Sequence, residues 1–174
     1  MAKLRKMLGS ADHPGILALM RQMETQSHKT LVCWCTDYMI SKILPLYEAR
    51  NAGDTRPREA LAMAQAWVNG EKTVKETRDA LAAGRAAARE AGDPVSQAAA
   101  RAIDSAATSL RTPTGALGCV FYAAAALAYD RGGLQAEPAV YDACADEVFA
   151  DMLQKLCACS VENEPNPAKL DWGC

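Results

Sequence analysis

Cysteine and histidine are the residue types in this sequence with the most distinctive chemistry. The 174 residues include seven cysteines and two histidines, and four of the cysteines form two Cys-x-Cys pairs, Cys33 with Cys35 and Cys157 with Cys159. Zinc sites are usually built from cysteines separated by two to four residues, whereas side chains two apart on a helix point in nearly opposite directions. A nucleophilic thiol needs a neighbouring base, and His28 lies five residues before Cys33, which is not a helical-neighbour spacing. The sequence therefore predicts no metal site, no cofactor and no catalytic cysteine.

The motifs of several common enzyme classes are also missing from the sequence. It contains no Glu-x-x-His or His-Glu-x-x-His pair, no phosphate-binding Gly-rich loop ending in Gly-Lys-Ser/Thr, and no Gly-x-Ser-x-Gly nucleophile turn. We therefore expect the chain not to be an enzyme. One enzymatic alternative stays open, in which Glu48, Asp54, Arg78 and Arg85 line a polar pocket.

Arginines recur on the fourth predicted helix, at Arg78, Arg85 and Arg89. Guanidinium groups bind phosphates and carboxylates through paired hydrogen bonds, so these arginines could contact a phosphate or an acidic partner. The alternative is a solvated helix face on which Asp79 and Glu90 neutralise the arginines.

The segment from Asp54 to Gly70 has the clearest helical pattern in the chain. Asp54 or Thr55 is the expected N-cap, Pro57 falls in the first turn, and the pair Asn69 and Gly70 ends the helix. The apolar residues between them follow the i, i+3, i+4, i+7 spacing and include Trp67. The pattern predicts an architectural motif with Pro57, Trp67 and Gly70 as its structural residues.

The charged residues of this motif have two interpretations. Arg56 is expected to bond the last carbonyls of the preceding helix, which is an architectural role. The same side chains could instead contact a protein partner. The candidates for partner contact are Asp54, Arg56, Arg58, Arg78 and Arg85.

Seven helices are expected to position these residues. About a fifth of the chain is alanine, which favours helices and disfavours strands. Pro45 is expected to kink or end the second helix, near Leu46. The predicted helices begin at about Asp12, Ser27 or Thr30, Asp54 or Thr55, Thr73, Pro94, Pro113 and Glu137.

The sixth predicted helix, from about 113 to 129, has no charge between Arg111 and Asp130. A helix that is apolar on all sides is buried, and this one is shorter than a bilayer requires. Gly115 and Gly118 would let neighbouring helices approach closely. The predicted fold is an all-α, single-domain bundle of about seven helices, with this Ala/Gly-rich helix at its centre. The domain spans residues 1–160, and residues 161–174 form an irregular tail that Trp172 pins to the surface or that is frayed.

Charge and cysteine usage limit the partners and the compartment. The net charge of −2 argues against a general nucleic-acid binder. No secretory signal is visible and the cysteine number is odd, so we expect a cytoplasmic protein that does not bind membranes. A homodimer through an Ala-rich face stays open.

Three segments resemble a known family: Leu44-Pro-Leu-Tyr-Glu48, Asp54-x-Arg-Pro-Arg-x-Ala60 and Ala66-Trp-x-x-Gly70. Ala/Arg-rich helices follow them, and the resemblance spans roughly residues 28–130. The family is the immunity-five-like family of bacterial polymorphic toxin systems. Its later Ala-rich helices carry histidines that have no counterpart at Gly84, Asp104 or Leu110. The resemblance implies a cytosolic helical protein that binds and neutralises a toxin domain without catalysis. The alternative is a general helical protein-interaction or scaffold module.

Overall fold

Seven helices make up the computed structural model, which describes residues 3–173 and shows no strand among them. The predicted all-α bundle of about seven helices is thereby confirmed. The second helix, α2, consists of three consecutive pieces, α-helical His28–Tyr38, a π-helical turn Met39–Ile43 and α-helical Leu44–Arg50. The others are α1 (Pro14–Met23), α3 (Arg56–Val68), α4 (Val74–Glu90), α5 (Pro94–Thr108), α6 (Gly115–Gly132) and α7 (Pro138–Cys159).

Side-chain caps determine where the central helices begin. Thr73 precedes α4 and forms a capping box with Glu76, in which each side chain accepts a hydrogen bond from the other residue's backbone N–H. Asp93 precedes α5, and its carboxylate accepts the N–H of Ser96 at 3.0 Å. Both starts were predicted from the sequence and are confirmed.

Helix α2 continues beyond its predicted end. It runs through Pro45 to Arg50, so the prediction that it ends near Leu46 was wrong. The π-helical turn ends at Ile43, two residues before Pro45, and the N–H of the next residue, Leu44, donates to the carbonyl of Met39. A proline ring normally clashes with the carbonyl four residues earlier, and the wider π turn accommodates it within one continuous helix.

Helices α5 and α6 form the centre of the bundle. Eleven residues of α6 are buried, which confirms its predicted place in the core. A Cβ added at Gly118 would lie 2.8 Å from Ser105 Oγ, so glycine permits the close α5–α6 contact. Helix α5 also packs against α2, α3 and α4 and therefore shares the central position.

The boundaries of α6 differ from the predicted 113–129. The helix starts after the turn that contains Pro113 and continues through the exposed Asp130 and Arg131 to Gly132. Asp130 accepts a hydrogen bond from Arg50 at 2.8 Å, so its charge is satisfied at the surface. The chain turns away at Gly133, whose φ of +74° is readily adopted by glycine.

The remaining segments cover the outside of this core. Helix α1 packs on α7, and the stretch before α1 lies along α6, where Leu8 N–H donates to Phe121 O at 3.2 Å. Residues 160–173 contain no helix. The half-buried Trp172 donates to Glu24 at 2.7 Å, so it pins this stretch to the end of α1, as one of the two alternatives predicted. Among the described residues, no helix combines the length and the apolar character needed to span a bilayer.

Candidate functional site

A group of interlocked charges joins α2, α3 and α4, and we call it the paired network. It consists of Tyr47, Glu48, Asp54, Arg56, Arg58 and Glu90. Asp54 accepts hydrogen bonds from Arg56 Nε at 2.8 Å and Arg56 Nη2 at 2.9 Å, and from the Tyr47 hydroxyl at 2.6 Å. Arg56 Nη2 also lies 2.8 Å from Glu90 Oε2, at the end of α4. One guanidinium group therefore ties the loop before α3 to the last turn of α4.

Arg58 forms the outer part of the paired network. Its Nε and Nη2 atoms donate to the two carboxylate oxygens of Glu48, each at 2.7 Å. This two-pronged geometry gives the best match between a guanidinium group and a carboxylate. Arg58 is more than half exposed, however, and pairs of this kind at the surface stabilise a protein by about 1 kcal/mol or less.

Hydrogen bonding and burial shift the acid–base equilibria of the paired network. The hydrogen bonds from Arg56 hold the pKa of Asp54 well below its usual range, despite partial burial. Burial, together with the bond to Asp54, raises the pKa of Tyr47. Asp54 is therefore an anion and Tyr47 a neutral donor across the physiological pH range, which suits a structural contact better than proton transfer.

The paired network departs from the sequence prediction in one respect. Arg56 was expected to bond the last carbonyls of the preceding helix, and it binds Asp54 and Glu90 instead. A guanidinium group forms stronger hydrogen bonds with carboxylates than with neutral carbonyls, and two carboxylates lie within its reach. Thr55 occupies the N-cap position without a side-chain cap, whereas Asp54 Oδ1 accepts the N–H of Arg56 at 3.2 Å.

The three structural residues of the motif occupy different environments. Pro57 is buried at the start of α3, and Gly70 adopts a φ of +75° just after the helix. Trp67 is only half-buried and packs against the ring of His28, with 5.0 Å between ring centroids. His28 Nε2 lies 2.6 Å from the carbonyl of Ser109, so the tryptophan contacts a fixed neighbour.

A second group of charges lies where α4 faces the end of α5, and we call it the arginine concavity. It is a hollow of about 130 Å³ lined by Arg78, Leu81, Ala82, Arg85, Arg89, Thr108 and Arg111. Three of its arginines follow one face of α4 at spacings of seven and four residues. The fourth, Arg111, belongs to the turn after α5, and the sequence analysis missed it because only the fold brings that turn beside α4.

The arginines of the concavity are poorly neutralised by the rest of the protein. Arg85 Nε lies 3.4 Å from Asp104 Oδ2, a long contact for a charged pair. Within residues 3–173, Arg78, Arg89 and Arg111 have no carboxylate within ion-pairing distance. Glu90, which was expected to neutralise this face, is bound to Arg56 instead.

Asp104 lies at the edge of the arginine concavity and was also missed by the sequence analysis. Its Oδ1 atom is buried and has no hydrogen-bond partner among the described residues. Burial raises the pKa of Asp104, and the nearby Arg85 and Arg89 only partly oppose this shift. The carboxylate therefore lowers the positive potential of the concavity without holding its arginines in well-formed ion pairs.

The polar pocket proposed as an enzymatic alternative is not assembled. Glu48 and Asp54 bind Arg58 and Arg56 in the paired network, whereas Arg78 and Arg85 line the arginine concavity. The five candidates for partner contact thus divide into three that have internal partners and two that face the concavity. Their roles in partner binding stay predictions.

The cysteines occur in different surroundings. Cys35 and Cys119 are buried, and Cys33, partly buried near Asp37, has its pKa raised to about 11 by burial and by that carboxylate. Cys157 and Cys159 are exposed on the last turn of α7. In the described part of the chain, no three residues among histidine, cysteine, aspartate and glutamate are placed to hold a metal ion. Cys174 lies outside the described residues.

A protein-family model matches most of the chain. Residues 21–155 match the family described as Imm-5 like putative immunity protein. The match begins in α1 and ends in α7, so it includes both the paired network and the arginine concavity. No curated protein matches the chain, and no solved structure matches it. The match covers well over half of the sequence, and the chain therefore belongs to the Imm-5 like immunity protein family.

Proposed function

We propose that the chain is an immunity protein that binds a toxin domain and neutralises it through protein–protein contact, without catalysis. The observation that carries this proposal is the family match over residues 21–155. A protein of this kind acts in the cytosol of the cell that must be protected.

The helical scaffold is consistent with an inhibitor that binds as a preformed body. Helices α3 to α7 each pack on the next, and the paired network fixes the loop before α3 to the end of α4. A scaffold that is already ordered loses little conformational entropy on binding, so more of the contact energy contributes to affinity. Tight binding is what neutralisation of a toxin requires.

The geometry also favours binding over catalysis at the two groups of charges. In the paired network the carboxylates of Asp54 and Glu48 are occupied by guanidinium groups, and the pKa of Asp54 is shifted away from the range useful for proton transfer. In the arginine concavity the charges are available to a partner. The Tyr47 hydroxyl donates to Asp54, but the raised pKa of Tyr47 and the lowered pKa of Asp54 oppose transfer of that proton.

The proposal is tested with the toxin domain encoded beside the gene for this chain. We expect co-expression to restore growth of cells that make the toxin domain, and the two purified proteins to elute together in size-exclusion chromatography. The control is the Val120→Asp variant, which places a charge in the core on α6, away from both groups of charges, and should lose its helical circular dichroism, its complex and its protection. A folded wild-type chain that neither binds the toxin domain nor protects the cells would contradict the proposal.

A further inference from the structure

We propose that this chain binds its partner through the arginine concavity, and that the concavity binds an acidic side chain from a loop or helix of the toxin domain. This inference rests on the proposed function and adds to it the contact site and the chemistry of the contact.

The lining of the concavity suits a carboxylate on a short aliphatic stem. Four guanidinium groups surround a hollow in which the side chains of Leu81, Ala82 and Thr108 are also present. Arginine matches the planar geometry of a carboxylate with paired hydrogen bonds, and the apolar lining suits the methylene groups that carry it. The volume of about 130 Å³ is below the usual range for small-molecule sites, so the hollow fits one side chain better than a whole metabolite.

The distribution of ion pairs also identifies this surface. On α7, the exposed Asp142, Asp146 and Glu147 lie within ion-pairing distance of Arg5, His13 and Arg131. The concavity contains four positive groups and only the long contact between Arg85 and Asp104. Like charges held close together raise the local potential, and an arriving carboxylate relieves this repulsion while forming hydrogen bonds.

The net charge of the chain favours a protein partner over a nucleic acid. With a net charge of −2, the chain as a whole does not attract a long polyanion. A single carboxylate within a folded partner meets only the local positive potential. Contact between a carboxylate of such a partner and the concavity is therefore electrostatically complementary.

Anion recognition by the concavity is tested first without the toxin domain. The probe is a blocked tetraglutamate peptide, and the readout is the amide chemical shifts of the isotope-labelled full-length chain. We expect shifts concentrated around Arg78, Arg85 and Arg111, reduced by added salt and absent from an Arg78→Gln/Arg111→Gln variant. Shifts that are absent, or that remain in the double variant, would overturn the assignment of this surface whether or not the chain is an immunity protein.

The second experiment measures affinity for the toxin domain by calorimetry. We expect the Arg78→Gln/Arg111→Gln variant to bind roughly 10- to 100-fold more weakly than the wild type, which is the range for loss of well-placed charge contacts. The Asp104→Asn variant should bind more tightly, because it removes a negative group that contacts Arg85 beside the concavity. The matched control is Arg21→Gln/Lys42→Gln, which removes the same charge from exposed positions on α1 and α2 and should bind like the wild type.

The outcomes separate this inference from the proposed function. Tight binding by the wild type with unchanged affinity in the Arg78→Gln/Arg111→Gln variant would overturn the site and leave the immunity function in place. Equal weakening in the Arg21→Gln/Lys42→Gln control would show that net charge, and not this concavity, governs binding, and would also overturn the site. No binding by the wild type, together with peptide shifts at the concavity, would contradict the proposed function and the toxin domain as the partner, and would leave only anion recognition by the concavity in place.

Discussion

The paired network and the arginine concavity are both built around arginines and both include residues of α4, yet the charges of the two regions have different surroundings. In the paired network, Asp54 is held by two hydrogen bonds from Arg56, and its pKa is lowered. In the concavity, Asp104 has one long contact to Arg85 and a buried oxygen without a partner in the described chain, and its pKa is raised. The first region uses its charges to join helices, and the second leaves its positive charges available to another molecule.

This difference shows why residue type alone does not identify a binding surface. In the sequence, Arg56 and Arg78 are equally plausible partner contacts. Their roles can be distinguished only when the residues that surround each arginine in the fold are known. A charge with a short internal ion pair must give up that pair before it binds a partner. A charge without one has no such cost, and removing it should affect binding more than stability.

The largest loss of stability is expected from a substitution at the contact between α4 and α3. A Cβ added at Gly84 would lie 2.9 Å from the Cβ of Ala60, which belongs to a rigid helix. We expect Gly84→Val to lower the free energy of unfolding by about 3 kcal/mol, because overpacking pushes the two helices apart. The measurement is urea unfolding, with Ala82→Val on the exposed side of α4 as the control. A cost no larger than that of the control would show that the contact between Gly84 and Ala60 accommodates a larger side chain.

Trp67 tests whether the far end of the Asp54–Gly70 motif belongs to the architecture. A fully buried tryptophan would cost about 3–5 kcal/mol on truncation to alanine, and the half-burial of Trp67 lowers our expectation to about 2 kcal/mol. The loss arises from its contact with the ring of His28. Thermal unfolding measures it. An unchanged melting temperature combined with weaker toxin binding would instead place Trp67 on the partner surface.

Lowering the pH should change the contributions of Asp54 and Asp104 to stability in opposite directions, and the contribution of Asp54 should be the larger. At pH 7 we expect Asp54→Asn to cost about 1.5 kcal/mol, because Arg56 and Tyr47 lose a charged acceptor. The folded pKa of Asp54 lies below its unfolded value of about 3.9, so the unfolded chain takes up a proton first as the pH falls. The wild type should therefore lose its advantage over the variant progressively below about pH 4. Urea unfolding from pH 6 to pH 3 checks this, and a difference that does not change with pH would count against the ion pair.

Removing the carboxylate of Asp104 should stabilise the protein at pH 7, whereas removing that of Asp54 destabilises it. This change in stability should be the smallest of the four. Its folded pKa is raised above the unfolded value, so the folded chain binds the proton more tightly and the free energy of unfolding falls as the pH rises through this range. At pH 7 the ionised group is therefore a cost to the folded state. We expect Asp104→Asn to raise the melting temperature slightly at pH 7, with the gain disappearing at pH 3. A lower melting temperature at pH 7 would mean that Asp104 forms a stabilising pair with Arg85.

Much of the fold could be predicted because its signals are local. Thr73 and Asp93 cap helices through bonds to residues three positions later, and the absence of charge in α6 indicates its burial. The end of α2 could not be predicted, because continuation through Pro45 depends on a π turn that has no clear sequence signal. The partners of the charged residues could not be predicted either, because Arg56 meets Glu90, and Arg111 approaches α4, only after distant helices have packed.

The most direct test of the account compares one arginine from each region by the same substitution. Arg56→Gln and Arg78→Gln are each measured for the free energy of unfolding and for the Kd of the complex with the toxin domain. We predict that Arg56→Gln loses about 1–2 kcal/mol of stability and keeps its Kd, whereas Arg78→Gln keeps its stability and binds more weakly. The opposite result, with Arg56→Gln weakening the complex and Arg78→Gln leaving it unchanged, would contradict the assignment of the paired network to structure and of the arginine concavity to partner binding.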